Sequence, residues 1–293
     1  MEIILLNSEN YSIWHEWLKG QPPVPEFIGP YKIVKRLAAD NPNSQAIVYR
    51  ARDADTGQDI AIKVLGDPLE SFESSILNVL IGEDSFDELR KEAETLAKID
   101  HPNIVKILDS NEDQIHGVYL VMEWISSGSL RDQIIKYGAS GMSLSEALPI
   151  IKGVLSALEA THEIGLLHRD VKPENILLDV QQKPYLTDFG IAFDFGEMFK
   201  ALAGRGTDGY MAPEQRDSDQ IENIGPYSDV YSAGIVLFEM MLGHLPGATG
   251  LDKRHLDNLA PELVEVVTRA IEVDFRKRFQ SASEMLSALP NHC

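Results

Sequence analysis

Sulfur chemistry is nearly missing from this chain, whose one cysteine is Cys293. No intramolecular disulfide can form and a zinc-thiolate site is excluded, a usage that fits a reducing compartment. Long hydrophobic runs are missing too. No stretch reaches about 18 uncharged apolar residues, so no membrane span is expected. The opening MEIILLNSENYSIW lacks the basic segment of a secretory leader. Positive charge is scarce: 26 Lys and Arg stand against 46 Asp and Glu, for a net charge of -20 and a pI near 4.7. Such a field disfavours general binding to nucleic acid or to an anionic membrane. Otherwise the composition, 44% hydrophobic and 25% charged, is that of an ordinary globular protein.

What is present is concentrated in Leu166 to Gly190, LLHRDVKPENILLDVQQKPYLTDFG. Asp170, Lys172 and Asn175 lie within six residues, followed by Asp188-Phe189-Gly190. An Asp to orient an acceptor hydroxyl, a Lys for a migrating phosphoryl group, and an Asn with a second Asp for divalent cations are the parts of a phosphoryl transfer. That chemistry is mostly positioning and charge neutralisation. HRDVKPEN and DFG resemble the catalytic loop and metal-binding triplet of the eukaryotic-like (Hanks-type) serine/threonine protein kinases of bacteria and eukaryotes. The resemblance covers residues 30–290, with residues 1–29 left as an N-terminal extension.

The first part of that span reads as strands: YKIVKRLA from Tyr31, AIVYRARD from Ala46, and DIAIKVL from Asp59, the last two joined by a turn at Asp55-Thr56-Gly57. HPNIVKIL and VYLVMEWI read as two more. The extension holds an amphipathic helix in SIWHEWLKG, Ser12 to Gly20. By resemblance, Lys63 would hold the α and β phosphates, Glu92 would hold Lys63, and Val48, Ala61 and Leu177 would enclose adenine. By charge alone Glu88 and Glu94 compete with Glu92. Met122 would line the adenine pocket, and the backbone at Glu123 and Ile125 would bond its edge. The segment LAADNPNSQAIVY, Leu37 to Tyr49, departs from the family. It carries no glycine where relatives have a Gly-x-Gly-x-x-Gly loop, which implies weaker clamping of the phosphates. Residues 66–87 form a longer connection than the family usually has.

Later stretches turn helical: SSGSLRDQI with Ser129 as cap, and the apolar run from Glu146 to Gly165. The resemblance makes Asp170 the residue that accepts or steers the substrate hydroxyl proton and Lys172 the stabiliser of the transferred group. Asn175 and Asp188 become magnesium ligands, and His168 and Phe189 packing residues. Thr207, in GTDGYMAPEQ, would bond Asp170 and Lys172. Glu214 would pair with Arg278, and Asp229 would bind the catalytic-loop backbone. No Ser, Thr or Tyr occurs from Ile191 to Gly206, so activity independent of phosphorylation there is expected.

Sheet-rich first and helix-rich afterwards, the order gives an α+β, two-lobed fold, with a small lobe at 30–123 and a large lobe at 126–290. The expected function is ATP- and Mg2+-dependent phosphorylation of Ser or Thr in protein substrates, with autophosphorylation as a readout, in the cytoplasm and without nucleic acid. A pseudokinase scaffold with weak nucleotide binding and a small-molecule kinase of the same fold stand as alternatives.

Overall fold

The computed structural model describes residues 24–37, 47–64, 97–113, 117–189, 209–247 and 251–291. The expected helix at Ser12 to Gly20, most of the glycine-free segment and residues 66–87 lie outside them, as do Glu92 and Thr207. The chain divides into two compact units. Among the described residues, the first holds 24–37, 47–64, 108–113 and 117–124, and the second holds 97–107, 125–189, 209–247 and 251–291.

The first unit is built on an antiparallel sheet. Its strands are β1 (Phe27–Ile28), β2 (Tyr31–Arg36), β3 (Ile47–Asp53), β4 (Asp59–Val64), β5 (Ile107–Asp113) and β6 (Gly117–Glu123), in the order β1-β2-β3-β4-β6-β5. Side chains alternate across a strand, and in β2 Tyr31 and Ile33 turn inward while Lys32 and Val34 turn out. The buried side chains of one face, among them Ile28, Tyr49, Ala51, Ile62 and Val121, form this unit's apolar core. The turn from β3 to β4 is pinned by the Asp53 carboxylate, which accepts the N–H groups of Asp55 and Thr56. Gly57, at φ 71°, closes it with a bond to the Asp53 carbonyl.

Phe27 and Ile28, within the stretch read as an extension, pair with Lys32 and Tyr31, and Ile28 is completely buried. One expectation needs correction. The strand read at HPNIVKIL starts only at Ile107. Before it, the Ile104 N–H turns back to the His101 carbonyl. The Val105 N–H meets Leu186, and Leu186 in turn donates to Asn103. The backbone of 103–105 is therefore taken by a parallel bridge at Leu186 within the second unit.

The second unit is helical, with one small hairpin. Its helices are α1 (Leu130–Tyr137), α2 (Leu144–Glu163), α3 (Pro213–Arg216), α4 (Pro226–Leu242), α5 (Lys253–Asn258), α6 (Pro261–Ala270) and α7 (Ala282–Ala288), and its hairpin is β7 (Ile176–Leu178) with β8 (Pro184–Leu186). Ser129 caps α1 as expected: its Oγ accepts the Asp132 N–H, and the Asp132 carboxylate accepts the Ser129 N–H. In α2, Ala147, Ile151, Val154 and Leu158 recur at helical spacing and are wholly buried. The α4 helix is buried nearly all round, so it forms the centre of the unit and other helices pack on it. No helix among the described residues is long and apolar enough to cross a membrane.

Candidate active site

The loop between α2 and β7 carries HRDVKPEN, and one carboxylate holds its start. Asp229, in the first turn of α4, accepts the His168 N–H at Oδ2 (2.8 Å) and the Arg169 N–H at Oδ1 (2.7 Å). His162, near the end of α2, approaches the same Oδ2 at 2.8 Å. The expected contact of Asp229 is present, and His162 is an addition that sequence reading missed.

His168 is fully buried and packs on Phe189, ring centroids 4.8 Å apart. A carbonyl only accepts, so the 3.0 Å approach of Nε2 to the Thr187 carbonyl places the proton on Nε2. Nδ1 then accepts the Asp170 N–H at 3.3 Å. Burial pushes the imidazole's pKa down. With both ring nitrogens engaged by the backbone, the ring is placed to order the loop.

Asp170 is left two-fifths exposed. Lys172 Nζ donates to its Oδ2 at 2.6 Å, and Asn175 Nδ2 donates to the same oxygen at 3.1 Å and to the Asp170 carbonyl at 2.8 Å. A carboxylate so held has one oxygen tied down and a fixed direction, which suits a group that orients a hydroxyl. Because the Asn175 nitrogen is committed to Asp170, its amide oxygen is the atom left to serve a cation. The Thr187 N–H donates to the Asn175 carbonyl at 2.9 Å, and so sets Asp188 beside it along the chain. Arg169 and Asp188 both have left-handed backbones, at φ 63° and 57°. That conformation costs a non-glycine residue about 1 kcal/mol or more, and such strain collects at functional sites.

The residues present suit magnesium. Asn175 and Asp188 offer hard oxygen donors, and no group of three or more His, Cys, Asp or Glu among the described residues makes a ready cage. Magnesium is usually held by one or two carboxylates together with phosphate oxygens and water. Leu177, in the middle of β7, pairs with Tyr185 and bridges to Ser129.

In the first unit, strand register gathers the other candidates. Val48 lies opposite Lys63, and Lys63 opposite Leu120. Ala61 lies opposite Met122. Directly paired side chains point the same way, so Val48, Ala61, Lys63 and Met122 share the face turned away from the apolar core. Lys63 is held there largely buried. Glu123 ends β6, and Ile125 opens the second unit.

Below the loop, two ion-pair systems tie segments of the second unit. Arg278 places its five N–H donors on the Glu214 carboxylate (2.7 and 2.9 Å) and on the carbonyls of Glu272, Tyr227 and Val273. This is the pair expected from the sequence. The second was not expected: Arg131 bonds Glu174 at 2.7 Å and Glu239 at 2.6 Å, and also Tyr210, which itself donates to Glu239. Burial works against the Arg131 charge, but its hydrogen bonds to Glu239 and Glu174 outweigh it and push its pKa up. Burial and Glu239 push the Tyr210 hydroxyl up, so it stays a donor. Gln215 adds a bond from Nε2 to the Arg169 carbonyl. A signal for this network existed, since Glu239 is a lone charge in the apolar run IVLFEMML.

A family model described as the protein kinase domain matches residues 44–293. A probable serine/threonine-protein kinase of Streptomyces coelicolor, SCO3848, is 32% identical over 267 residues, covering 82% of this chain and 37% of its own length. A probable serine/threonine-protein kinase PknB of Lactococcus lactis is 32% identical over 279 residues, covering 89% of this chain and 42% of its own. The chain thus spans about two fifths of the length of these relatives. Among solved structures, PpkA-294 in its apo form superposes with TM-score 0.70 at 23% identity, over 92% of this chain and 99% of that one. The kinase domain of Mycobacterium tuberculosis PknI does so with TM-score 0.67 at 23%, over 89% and 94%. At that identity the structures speak for the two-lobed fold alone.

Proposed function

The chain belongs to the protein kinase family, and from that membership we propose that it transfers the γ-phosphate of ATP to serine or threonine hydroxyls of proteins. The observation that carries this reading is the held carboxylate of Asp170, with Lys172 and Asn175 on one of its oxygens. The serine/threonine-kinase names of the relatives support the substrate class.

In this reading Asp170 takes the hydrogen bond, and at transfer the proton, of the acceptor hydroxyl. Lys172 faces the charge that develops on the migrating phosphoryl group. Lys63 takes the α and β phosphates, with Glu92 as its partner. Val48, Ala61, Met122 and Leu177 enclose the base, and the backbone at Glu123 and Ile125 meets its edge. Asn175 and Asp188 would hold magnesium, which neutralises phosphate charge when bound. Thr207 completes the set as a partner of Asp170 and Lys172. We place the reaction in the cytoplasm, where ATP is available, with protein substrates that include the chain itself and exclude nucleic acid, in keeping with the net charge of -20.

The test is incubation with labelled ATP, Mg2+ and a generic basic protein, beside Asp170→Ala. Label on protein that falls at least about a hundredfold in the variant is the expected result, the scale of a lost catalytic base. Equal incorporation by both proteins, or label passing only to a small metabolite, would overturn the proposal.

A further inference from the structure

The sheet face that carries Val48, Ala61, Lys63 and Met122 also carries a charged cluster that no motif requires. Arg50 lies opposite Ala61 and Ala61 opposite Met122, so the three make one row across β3, β4 and β6. Arg52 lies opposite Asp59 in the next row. Trp124, two residues past Met122, continues on the same side. Arg50 Nη2 reaches Asp59 Oδ2 at 2.6 Å, and its guanidinium carbon stands 5.0 Å from the centroid of the Trp124 ring. Arg52 joins Asp59 more loosely, at 3.3 Å.

Stability does not account for this cluster. Arg50 and Asp59 are 31% and 26% exposed, and ion pairs so open to water contribute little. Arg50 Nε is itself buried with no acceptor among the described residues. Such unmet buried donors are rare, and each calls for an explanation. What the arrangement does achieve is geometric. Asp59 aims the guanidinium, and the guanidinium holds the indole plane directly after Glu123.

We propose that Arg50 is a positioning residue for the purine base, acting through Trp124 to fix the backbone of Glu123 at the end of β6. This rests on the kinase reading, which places the base on that backbone. Arg50 need not touch the nucleotide. Its role is to hold the receiving carbonyl in one orientation, so the ligand does not have to order that segment as it binds.

The experiment measures calorimetric ADP binding with Mg2+ to the full chain and to Arg50→Met, Arg50→Lys, Trp124→Leu and the double variant Arg50→Met with Trp124→Leu. A cation over an indole is worth enough to predict about a fivefold rise in Kd for each of Arg50→Met and Trp124→Leu. The double variant should be no weaker than the singles, because they remove one shared contact. Arg50→Lys, which keeps a cation over the ring, should bind within about twofold of the parent. The KM for ATP should rise in Arg50→Met while kcat holds, a split that general loosening of the fold would not produce. Unchanged ADP affinity in Arg50→Met, or single losses that multiply in the double variant, would overturn the inference alone. A parent protein that binds no ADP would overturn the kinase reading as well.

Discussion

Both nitrogens of His168 serve the backbone, one as donor to Thr187 and one as acceptor from Asp170, and the ring is wholly buried. That burial lowers its pKa from the ordinary 6.5. Between the lowered folded value and 6.5 the unfolded chain binds a proton that the folded chain refuses. The stability linked to this histidine is therefore fully present above pH 6.5 and is lost as pH falls below it, by at most about 1.4 kcal/mol per pH unit. His101, also lowered by burial, adds to the same trend. Urea midpoints at pH 7.5 and 5.5 should show the loss in the parent protein and a shallower one in His168→Phe, which keeps a ring against Phe189. Equal slopes in the two proteins would mean that His168 titrates freely in the fold. Legibility at this scale depended on local spacing. Asp170, Lys172 and Asn175 sit on one short loop and are brought together as the motif implied. His162 could not be read, because its partner Asp229 is 67 residues away and several other acids are equally plausible from charge alone.

At the scale of elements, α4 is buried nearly all round, and its packing shows why one position in it is glycine. A Cβ on Gly234 would stand 2.7 Å from the Ala270 Cβ and 2.8 Å from Ile271 Cγ2, both at the end of α6. Gly234→Ala would gain about 1 kcal/mol of helix propensity. It would lose about 1–3 kcal/mol to overpacking, since neither neighbour is the tip of a long side chain that can swing aside. We expect a net loss of about 1 kcal/mol in urea denaturation; a gain would show that α4 and α6 separate freely. The strands illustrate the complementary limit. The strands read from Tyr31, Ala46 and Asp59 are present as β2, β3 and β4, whereas HPNIVKIL looked like a strand by composition. Its first residues instead pair at Leu186 because the hairpin β7–β8 offers a backbone partner there, and no local pattern records that offer.

For the molecule as a whole, the Arg278–Glu214 pair closes a loop of 64 residues within the second unit. Both side chains are essentially excluded from water, at 0% and 1% exposure. Every guanidinium N–H is met, and the Arg278 charge also lies 4.8 Å from the Tyr231 ring. Arg278→Met leaves a buried carboxylate without its partner, and breaking such a pair costs about 3–5 kcal/mol. The denaturation midpoint should fall accordingly, and adding Glu214→Met should restore part of the loss because the stranded charge is gone. A loss under about 1 kcal/mol for Arg278→Met would show that water reaches the site.

The sequence by itself determined the family and the class of fold. Motif spacing is a property of one short loop, strand alternation is a property of neighbours, and a helix apolar on nearly every side has nowhere stable to lie except inside. Only the tertiary structure decided which charges meet. Arg131 finds Glu174 and Glu239, 43 and 108 residues away, and Arg50 finds Trp124 across β4 and β6. Among 46 acids and 26 basic residues, charge alone leaves many pairings open. Packing of the helices and the register of the strands leave one.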